Sequence, residues 1–284
     1  MVRVGVHVSI AGSLAMSCAR ARERDCDCFQ IFTKNPRGWA AKEITESDAD
    51  SFRGAVSTTI TGPVFAHMPY LPNLASEKPD IYAKSIEALS LELGRCSFLG
   101  IPFLVTHLGH AGDDLVSGRK RVVDAIDEVL QVSEKGPVLL LENTAGERNS
   151  VGSRFEEMSA VLDGIADSAR VGICLDTCHA FAAGYDLRGP VEVSHVFDTL
   201  DNLVGSDKIG VIHLNDAKGT LGSGLDRHEH IGLGSIGEDG IRAILHHPIL
   251  RSLPCICETP VDERRGDREN VSVVRTLSLE KWTE

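Results

Sequence analysis

Nine histidine, aspartate and glutamate side chains end short apolar segments of this chain or lie close behind them. The segment Val171 to Leu175 runs into Asp176, and His179 follows three residues later. Imidazole nitrogens and carboxylate oxygens are the groups with which proteins hold zinc and related ions. The pattern recurs along the sequence and gives these candidate metal ligands: His67, His107, Glu142, Asp176, His179, His213, Asp226, His228 and Glu258.

The mixture of ligand types indicates the metal. Five histidines with four carboxylates suit Zn²⁺, whereas Mg²⁺ or Ca²⁺ favours shells made almost entirely of oxygen. Nine ligands exceed what one tetrahedral site uses, so two or three ions that share a bridging carboxylate fit better. Each residue alone has an ordinary interpretation: a lone histidine is more often a structural hydrogen-bonding group, and Asp176 alone could cap a helix. Taken together, converging buried charges need a polycation.

The elements that position these residues alternate along the chain. Eight short segments are apolar at nearly every position, as buried parallel strands are, and longer amphipathic segments separate them. The predicted strands are Arg3 to Val8, Cys28 to Phe32, Val64 to Ala66, Phe103 to Thr106, Val138 to Leu141, Val171 to Leu175, Gly210 to Ile212 and Pro254 to Cys257. The predicted helices are Ser13 to Arg24, Pro79 to Phe98, Arg119 to Ser133, Arg154 to Ala166, Val191 to Leu203, Gly240 to His246 and Glu269 to Leu279.

This alternation predicts the α/β class and a closed (β/α)₈ TIM barrel with its active site at the carboxyl ends of the strands. A doubly wound open sheet also explains the alternation, but it does not gather the ends of strands three to eight around one centre. The 284 residues predict one barrel domain over 1–284. The long loop from Asp216 to Leu233 is predicted to be functional.

Composition bears on the partner, the type of metal site and the location of the protein. A formal net charge of −12 argues against a nucleic-acid partner. Bound divalent ions would make the charge more positive locally, so the net charge does not decide whether the protein binds DNA. None of the eight cysteines forms a C-x-x-C pair, which disfavours a thiolate zinc site, and Cys178 is assigned a packing role. The absence of a long apolar run predicts a cytoplasmic protein without membrane contact, and a monomer is the default.

The motifs resemble one known family. FTKNPRGW, HMPYLPNL, LENTAG, GICLDTCHAFAAGYD, HLNDAKGTLGSGLDRHEHIGLGSIG and ICETP follow the order seen in the endonuclease IV family of DNA repair enzymes, and the resemblance covers essentially the whole chain. It implies the xylose isomerase-like (β/α)₈ barrel and three zinc ions per chain. It also implies a hydrolase of base excision repair that incises duplex DNA on the 5′ side of abasic (AP) sites, leaving a 3′-hydroxyl and a 5′-deoxyribose phosphate. Removal of 3′-blocking groups is a further expected activity.

Carried over residue by residue, the resemblance assigns three zinc sites. His67, His107 and Glu142 would hold one ion, and Glu142 is the catalytic bridge to a second. The second ion would also be held by Asp176, His213 and Glu258. The third would be held by His179, Asp226 and His228.

Contacts to DNA are assigned on the same basis. Arg37 is placed in a DNA-penetrating loop, with Trp39 beside it, and Tyr70 is expected to contact the damaged strand. His7 is expected to line the pocket, and His230 to support a ligand or be exposed. Candidate contacts to the DNA backbone are Asn73, Asn143, Asn215 and Lys218. The turn HLGHAGDD departs from the family pattern, because it is short and puts Asp113 and Asp114 near the DNA-facing rim.

Two other functions compete with the nuclease. A sugar isomerase or epimerase on the same barrel uses two oxygen-rich Mn²⁺ or Mg²⁺ sites, which would leave His179, Asp226 and His228 without a role. A catalytically silent, metal-dependent DNA-binding protein is the third interpretation, and the intact set of ligands disfavours it.

Overall fold

Eight parallel strands form a sheet that closes on itself. The computed structural model describes residues 2–132 and 136–280 of the chain. The strands are β1 (Arg3–Val6), β2 (Phe29–Ile31), β3 (Val64–His67), β4 (Phe103–His107), β5 (Val138–Glu142), β6 (Val171–Asp176), β7 (Ile209–His213), β8 (Asp216–Ala217), β9 (His228–Glu229) and β10 (Pro254–Cys257). The sheet order is β1-β10-β7-β6-β5-β4-β3-β2, and β8 and β9 form a separate antiparallel ribbon. The predicted TIM barrel is confirmed.

The edges of the sheet meet between β1 and β2, where a parallel bridge joins His7 to Gln30. The backbone N–H of Val8 donates to the carbonyl of Gln30 at 2.8 Å, and that of Asp27 donates to Val4 at 2.8 Å. Gly5 permits this contact, because a Cβ at that position would lie 1.7 Å from the carbonyl oxygen of Cys28. Glycine therefore allows the barrel to close at this seam.

Helices follow most strands and cover the outside of the barrel. They are α1 (Ala15–Glu23), α2 (Glu46–Thr59), α3 (Pro79–Leu99), α4 (Leu115–Val132), α5 (Phe155–Gly164), α6 (Thr177–Ala182), α7 (Pro190–Val204), α8 (Gly237–His246) and α9 (Asp267–Leu279). The predicted helices are present with shifted ends, and Ser133, the predicted end of α4, lies outside the described residues. Within the described ranges, no helix combines the length and the apolar character needed to cross a membrane.

Helix α2 was not predicted, although its start carries a capping box. The Thr45 hydroxyl accepts the backbone N–H of Asp48 at 3.1 Å, and the Asp48 carboxylate accepts that of Thr45 at 3.2 Å. Only Ala49 and Phe52 are buried in this helix, so its apolar face is too short to stand out in the sequence. The ribbon of β8 and β9 was also not predicted, because two-residue strands leave no periodic pattern.

The inner face of the barrel has an apolar layer below a polar one. The apolar side chains are Phe65, Val105, Leu140, Cys174, Val211 and Ile256, which pack together in the barrel interior. Each precedes a candidate ligand by two residues, and those ligands are His67, His107, Glu142, Asp176, His213 and Glu258. Because side chains two residues apart in a strand point to the same face, both sets face the barrel axis. The polar layer therefore lies at the carboxyl ends of the strands.

Candidate metal centre

Glu142 ends β5 and lies at the centre of the polar layer. Its Oε2 is 3.0 Å from Nε2 of His67 and 3.5 Å from Nε2 of His107. Its Oε1 is 2.9 Å from Nδ1 of His213. Burial by itself would raise the pKa of this carboxyl, but the charges of His107 and His213 outweigh it and hold the pKa well below its ordinary value. Glu142 is therefore a carboxylate whose two oxygens face different imidazoles.

The second group joins β5, β6, β7 and the residue after β10. One ligand atom from each of Glu142, Asp176, His213 and Glu258 lies within 4.8 Å of the others. Nδ1 of His213 is 3.3 Å from Oε2 of Glu258. Three carboxylates around one imidazole place excess negative charge in a buried space, which favours a bound cation.

The third group is formed by α6 and the long loop after β8. Nε2 of His179 lies 3.2 Å from Oδ1 of Asp226, and Nε2 of His228 lies 3.4 Å from the same oxygen. His228 begins β9, so the ribbon with β8 fixes its place in the loop. The loop that the sequence marked as functional thus brings Asp226 and His228 to His179.

The Nε2 atoms of His179 and His228 are placed as metal ligands rather than as hydrogen-bonding groups. Nε2 of His179 and Nε2 of His228 are buried and have no hydrogen-bond partner. The other ring nitrogens lie 2.9 Å from the carbonyl oxygen of Asn143 and 3.0 Å from that of Glu258. These carbonyls accept Nδ1–H, which leaves the lone pairs on Nε2 facing Asp226. Unpartnered buried nitrogens are costly, and a cation bound between them and Asp226 would satisfy them.

Two thiols lie close enough to be considered as ligands. Cys174 lies beside Glu142 and His213, and Cys178 lies beside Asp176 and His228. Burial raises the pKa of Cys174 to about 12. Burial also raises the pKa of the Cys178 thiol. Both sulfurs are therefore protonated at neutral pH when no cation is bound, and the Cys178 thiol donates to the carbonyl of Arg227 at 3.6 Å.

Asn143 and Asn215 hold ligands in place, although the sequence suggested that they contact DNA. The backbone N–H of Asp176 donates to Oδ1 of Asn143 at 2.7 Å. Nδ2 of Asn215 donates to Oδ2 of Asp176 at 2.7 Å, and its Oδ1 accepts the backbone N–H of Glu258 at 2.8 Å. Both asparagines are buried, so the suggested contact with the DNA backbone is wrong.

Three further polar residues surround the centre. Nδ1 of His7 lies 3.4 Å from Oε1 of Glu258, so His7 lines the site as expected. His230 is buried and lies 2.9 Å from Oδ1 of Asp262, which anchors the segment after His228. Gln30, which the sequence analysis did not select, contacts His7, His213 and Glu258. Gln30 is the middle residue of β2 and lies two residues after Cys28, which packs in the barrel interior, so its spacing is that of an inward-facing residue.

The loop after β2 presents Arg37 and Trp39 at the surface, where both are exposed. Its base is tied to α3. The Thr33 hydroxyl donates to buried Glu92 at 2.5 Å, and the Arg95 guanidinium donates to the carbonyl of Thr33 at 2.6 Å. The loop therefore combines an anchored base with a solvent-exposed tip.

Tyr70 stands at the edge of the centre. It is 67% exposed, and its ring lies edge-on to Phe32 with centroids 5.3 Å apart. It lines a cavity of about 370 Å³ that also includes His67, His179, Asp226, His228 and Glu258. These five candidate ligands therefore line a cavity beside an exposed aromatic ring.

The remaining surface candidates have different surroundings. Nδ2 of Asn73 donates to the carbonyl of His110 at 3.0 Å, which ties together the loops after β3 and β4. Lys218 is exposed. Asp113 and Asp114 are also exposed, and Oδ1 of Asp114 accepts the backbone N–H of Val116 at 3.0 Å at the start of α4. Asp114 of the short turn thus caps the start of α4.

Comparison with known proteins identifies the family. The family described as xylose isomerase-like TIM barrel matches residues 18–277. Two proteins named probable endonuclease 4 are similar over nearly their whole length. The one from Methanoculleus marisnigri is 57% identical over 98% of this chain and 99% of its own, and the one from Methanosphaerula palustris is 55% identical over the same shares.

A solved structure is similar as well. The crystal structure of endonuclease IV from Thermus thermophilus superposes with a TM-score of 0.87 at 36% identity, covering 97% of this chain and 98% of that one. The predicted family and the predicted class of enzyme, a hydrolase of DNA repair, are confirmed. The chain belongs to the endonuclease IV family, within the xylose isomerase-like TIM barrels.

Proposed function

We propose that this protein is a zinc-dependent AP endonuclease of base excision repair. It hydrolyses the phosphodiester bond on the 5′ side of an abasic site in duplex DNA, leaving a 3′-hydroxyl and a 5′-deoxyribose phosphate. It also removes 3′-blocking groups, because the same bond cleavage on the same side of a damaged end releases them. It acts as a monomer, with one barrel domain over 1–284, in the cytoplasm.

The observation that carries the proposal is the division of nine ligands into three groups at the carboxyl ends of the strands, five of which line one cavity. His67, His107 and Glu142 form one group, and His179, Asp226 and His228 form another. The middle group shares Glu142 with the first. Three groups of this composition fit three zinc ions, with Glu142 as the bridge between two of them.

Bound zinc ions would lower the pKa of water toward neutrality and neutralise charge on the phosphate. The chain supplies the geometry for this chemistry. Glu142 directs its two oxygens to separate imidazole sets, so it can hold two cations a short distance apart. Asp226 and His228, on the ribbon loop, complete the third site at the outer side of the same cavity. Asn143 holds the backbone of Asp176, and Asn215 holds its carboxylate.

Recognition of DNA is assigned to the rim. Arg37 and Tyr70 are both exposed, and Tyr70 lines the cavity that five of the candidate ligands also line. A damaged nucleotide that leaves the helix would enter beside Tyr70, while Arg37 occupies the gap in the duplex. Lys218 is an exposed cation in the loop that carries Asp226 and is available to a phosphate.

A sugar isomerase or epimerase fits the site less well. The group of His179, Asp226 and His228 contains two imidazoles whose Nε2 atoms are buried without partners, which favours a third cation. A silent DNA-binding protein is also disfavoured, because every candidate ligand is present and belongs to one of the three groups.

Incision of a defined duplex tests the proposal. The substrate carries one tetrahydrofuran abasic analogue and is incubated with protein purified without chelator. Incision 5′ to the lesion that leaves a 3′-hydroxyl supports the proposal, and about three zinc ions per chain by elemental analysis supports the cofactor. An intact strand with zinc-loaded protein would reject the nuclease, and two manganese or magnesium ions would favour the isomerase.

Glu142→Gln tests the bridging role within the same assay. We expect incision to fall by about 100-fold or more, since a metal ion supplies several kcal/mol of charge stabilisation and each 1.4 kcal/mol is a factor of ten. Glu128→Gln, the same change at an exposed position on α4, is the matched control and should incise normally. Full activity of Glu142→Gln would refute the bridge.

A further inference from the structure

Gln30 makes three hydrogen bonds at the edge of the candidate metal centre. Its Nε2 lies 2.8 Å from Oε1 of Glu258 and 3.1 Å from Nδ1 of His7. Its Oε1 lies 2.9 Å from Nε2 of His213. The side chain is buried, and its three hydrogen bonds go to two candidate ligands and to His7, which lines the same site. Gln30 is not among the nine candidate ligands.

The orientation of the Gln30 amide follows from its partners. A carboxylate only accepts hydrogen bonds, so the atom facing Glu258 must be the NH₂ group. The carbonyl oxygen then faces His213 and must accept a hydrogen from Nε2. A neutral imidazole that is protonated on Nε2 has its lone pair on Nδ1. That nitrogen faces Oε1 of Glu142 at 2.9 Å and Oε2 of Glu258 at 3.3 Å.

His213 differs in this respect from three other candidate ligands. The Nδ1 atoms of His67, His179 and His228 each lie within 3.0 Å of a backbone carbonyl oxygen. Backbone carbonyls fix those rings with Nε2 facing the centre, whatever the neighbouring side chains are. His213 presents Nδ1 instead, and its outer nitrogen is held by a side chain, which a substitution can remove.

We propose that Gln30 is a positioning residue that makes Nδ1 the coordinating nitrogen of His213 and aims Glu258 at the same ion. The inference rests on the metal centre proposed above. Groups that hold the outer atoms of metal ligands fix ring orientation and tautomer, and losing one typically weakens metal binding by about 10- to 100-fold.

The position of Gln30 at the seam of the barrel extends this role. Gln30 follows Phe29 in β2, and its backbone forms the bridge to His7 that closes the sheet. Its side chain reaches past β1 to the residue after β10 and to the end of β7. The residue that joins the edges of the barrel therefore also fixes two ligands of the middle ion.

A measurement on the unaltered protein tests the tautomer. The protein is labelled with ¹⁵N-histidine, loaded with zinc and studied by long-range ¹H–¹⁵N correlation spectroscopy, with His213→Asn identifying the His213 signals by their loss. We expect His213 to show a zinc-bound Nδ1 and a protonated Nε2, and His67, His179 and His228 to show the reverse. A zinc-bound Nε2 on His213 would overturn the inference. If the unaltered protein bound no zinc, the proposed function and this inference would both fail.

Gln30→Met tests the positioning role, because methionine has a similar shape and cannot make these hydrogen bonds. Zinc affinities are measured by competition with a chromophoric chelator. We expect one of three sites to weaken by about 10- to 100-fold while the other two stay unchanged. Gln131→Met is the matched control, since Gln131 is the only other glutamine and is exposed on α4. Three unchanged affinities in Gln30→Met would refute the inference and leave the nuclease proposal intact. Should Gln30→Met fail to fold, the spectrum of the unaltered protein decides.

Discussion

The carboxylate of Asp176 accepts a hydrogen bond from the backbone N–H of His179 at 2.7 Å. Asp176 is therefore the N-cap of α6 as well as a candidate ligand, so the helix-capping interpretation and the metal-ligand interpretation are compatible. The capping bond also fixes His179 three residues along, because both side chains belong to the same helical turn. A short helix thus carries ligands from two neighbouring groups.

Substitutions at Asp176 separate the two roles. Asparagine keeps a capping oxygen but lacks the negative charge, whereas alanine lacks both. We expect Asp176→Asn and Asp176→Ala each to lose about one zinc ion per chain. In excess chelator, Asp176→Ala should be less stable to urea than Asp176→Asn by about 1 kcal/mol, the usual value of an N-cap. Equal stabilities would show that the cap contributes nothing.

Removal of the metals should destabilise the fold. An ion present at 1,000 times its dissociation constant contributes about 4 kcal/mol, and each kcal/mol shifts the Tm of a domain of this size by roughly 2–4 °C. We therefore expect chelation to lower the Tm by about 8 °C or more in differential scanning calorimetry. Added zinc should restore it. An unchanged Tm after verified metal loss would argue that the ligand cluster is stable without cations.

Arg37→Ala should weaken DNA binding without affecting the metals. Arg37 is exposed at the tip of an anchored loop and is not part of the ligand groups. We expect the Kd for abasic duplex, measured by fluorescence anisotropy, to rise by roughly 5- to 100-fold with zinc content unchanged. Arg251→Ala, at an exposed arginine before β10 on the opposite end of the barrel, is the control. Equal affinities of the two variants would remove Arg37 from the recognition surface.

The cysteines should be inert in the native protein. Cys26 is the one half-buried thiol in the described residues, where the other seven are buried, and burial raises its pKa to about 12. At pH 8 its thiolate fraction is about 1 in 10,000, far below that of an ordinary thiol with a pKa near 8.5. Brief treatment with iodoacetamide should add at most one label by mass spectrometry, against eight in urea. Native labelling of Cys178 would contradict its buried packing role.

The strands and their inward faces were predictable because two signals coincide. Leu140 and Glu142 share a face of β5, and the change from apolar to charged residue marks the carboxyl end of the strand. Resemblance to a family then gave the grouping of ligands. Gln30 was not predictable in this way, because a glutamine in the middle of a strand does not indicate a metal centre until its partners are known. Asn143 and Asn215 show the same difficulty, since a sequence does not reveal whether an amide faces a ligand or solvent.

The two-layered interior has a consequence for how the chain tolerates change. Each of six strands carries a core residue on its inner face, and the candidate ligand follows two residues later on the same face, at the end of the strand or directly after it, as Phe65 and His67 show in β3. One inserted or deleted residue inside such a strand would reverse its faces and turn the buried apolar side chain and the candidate ligand outward together. Insertions and deletions in this family should consequently occur in the loops and not in the strands, because a shift of one residue in a strand would remove both the core packing and the candidate ligand.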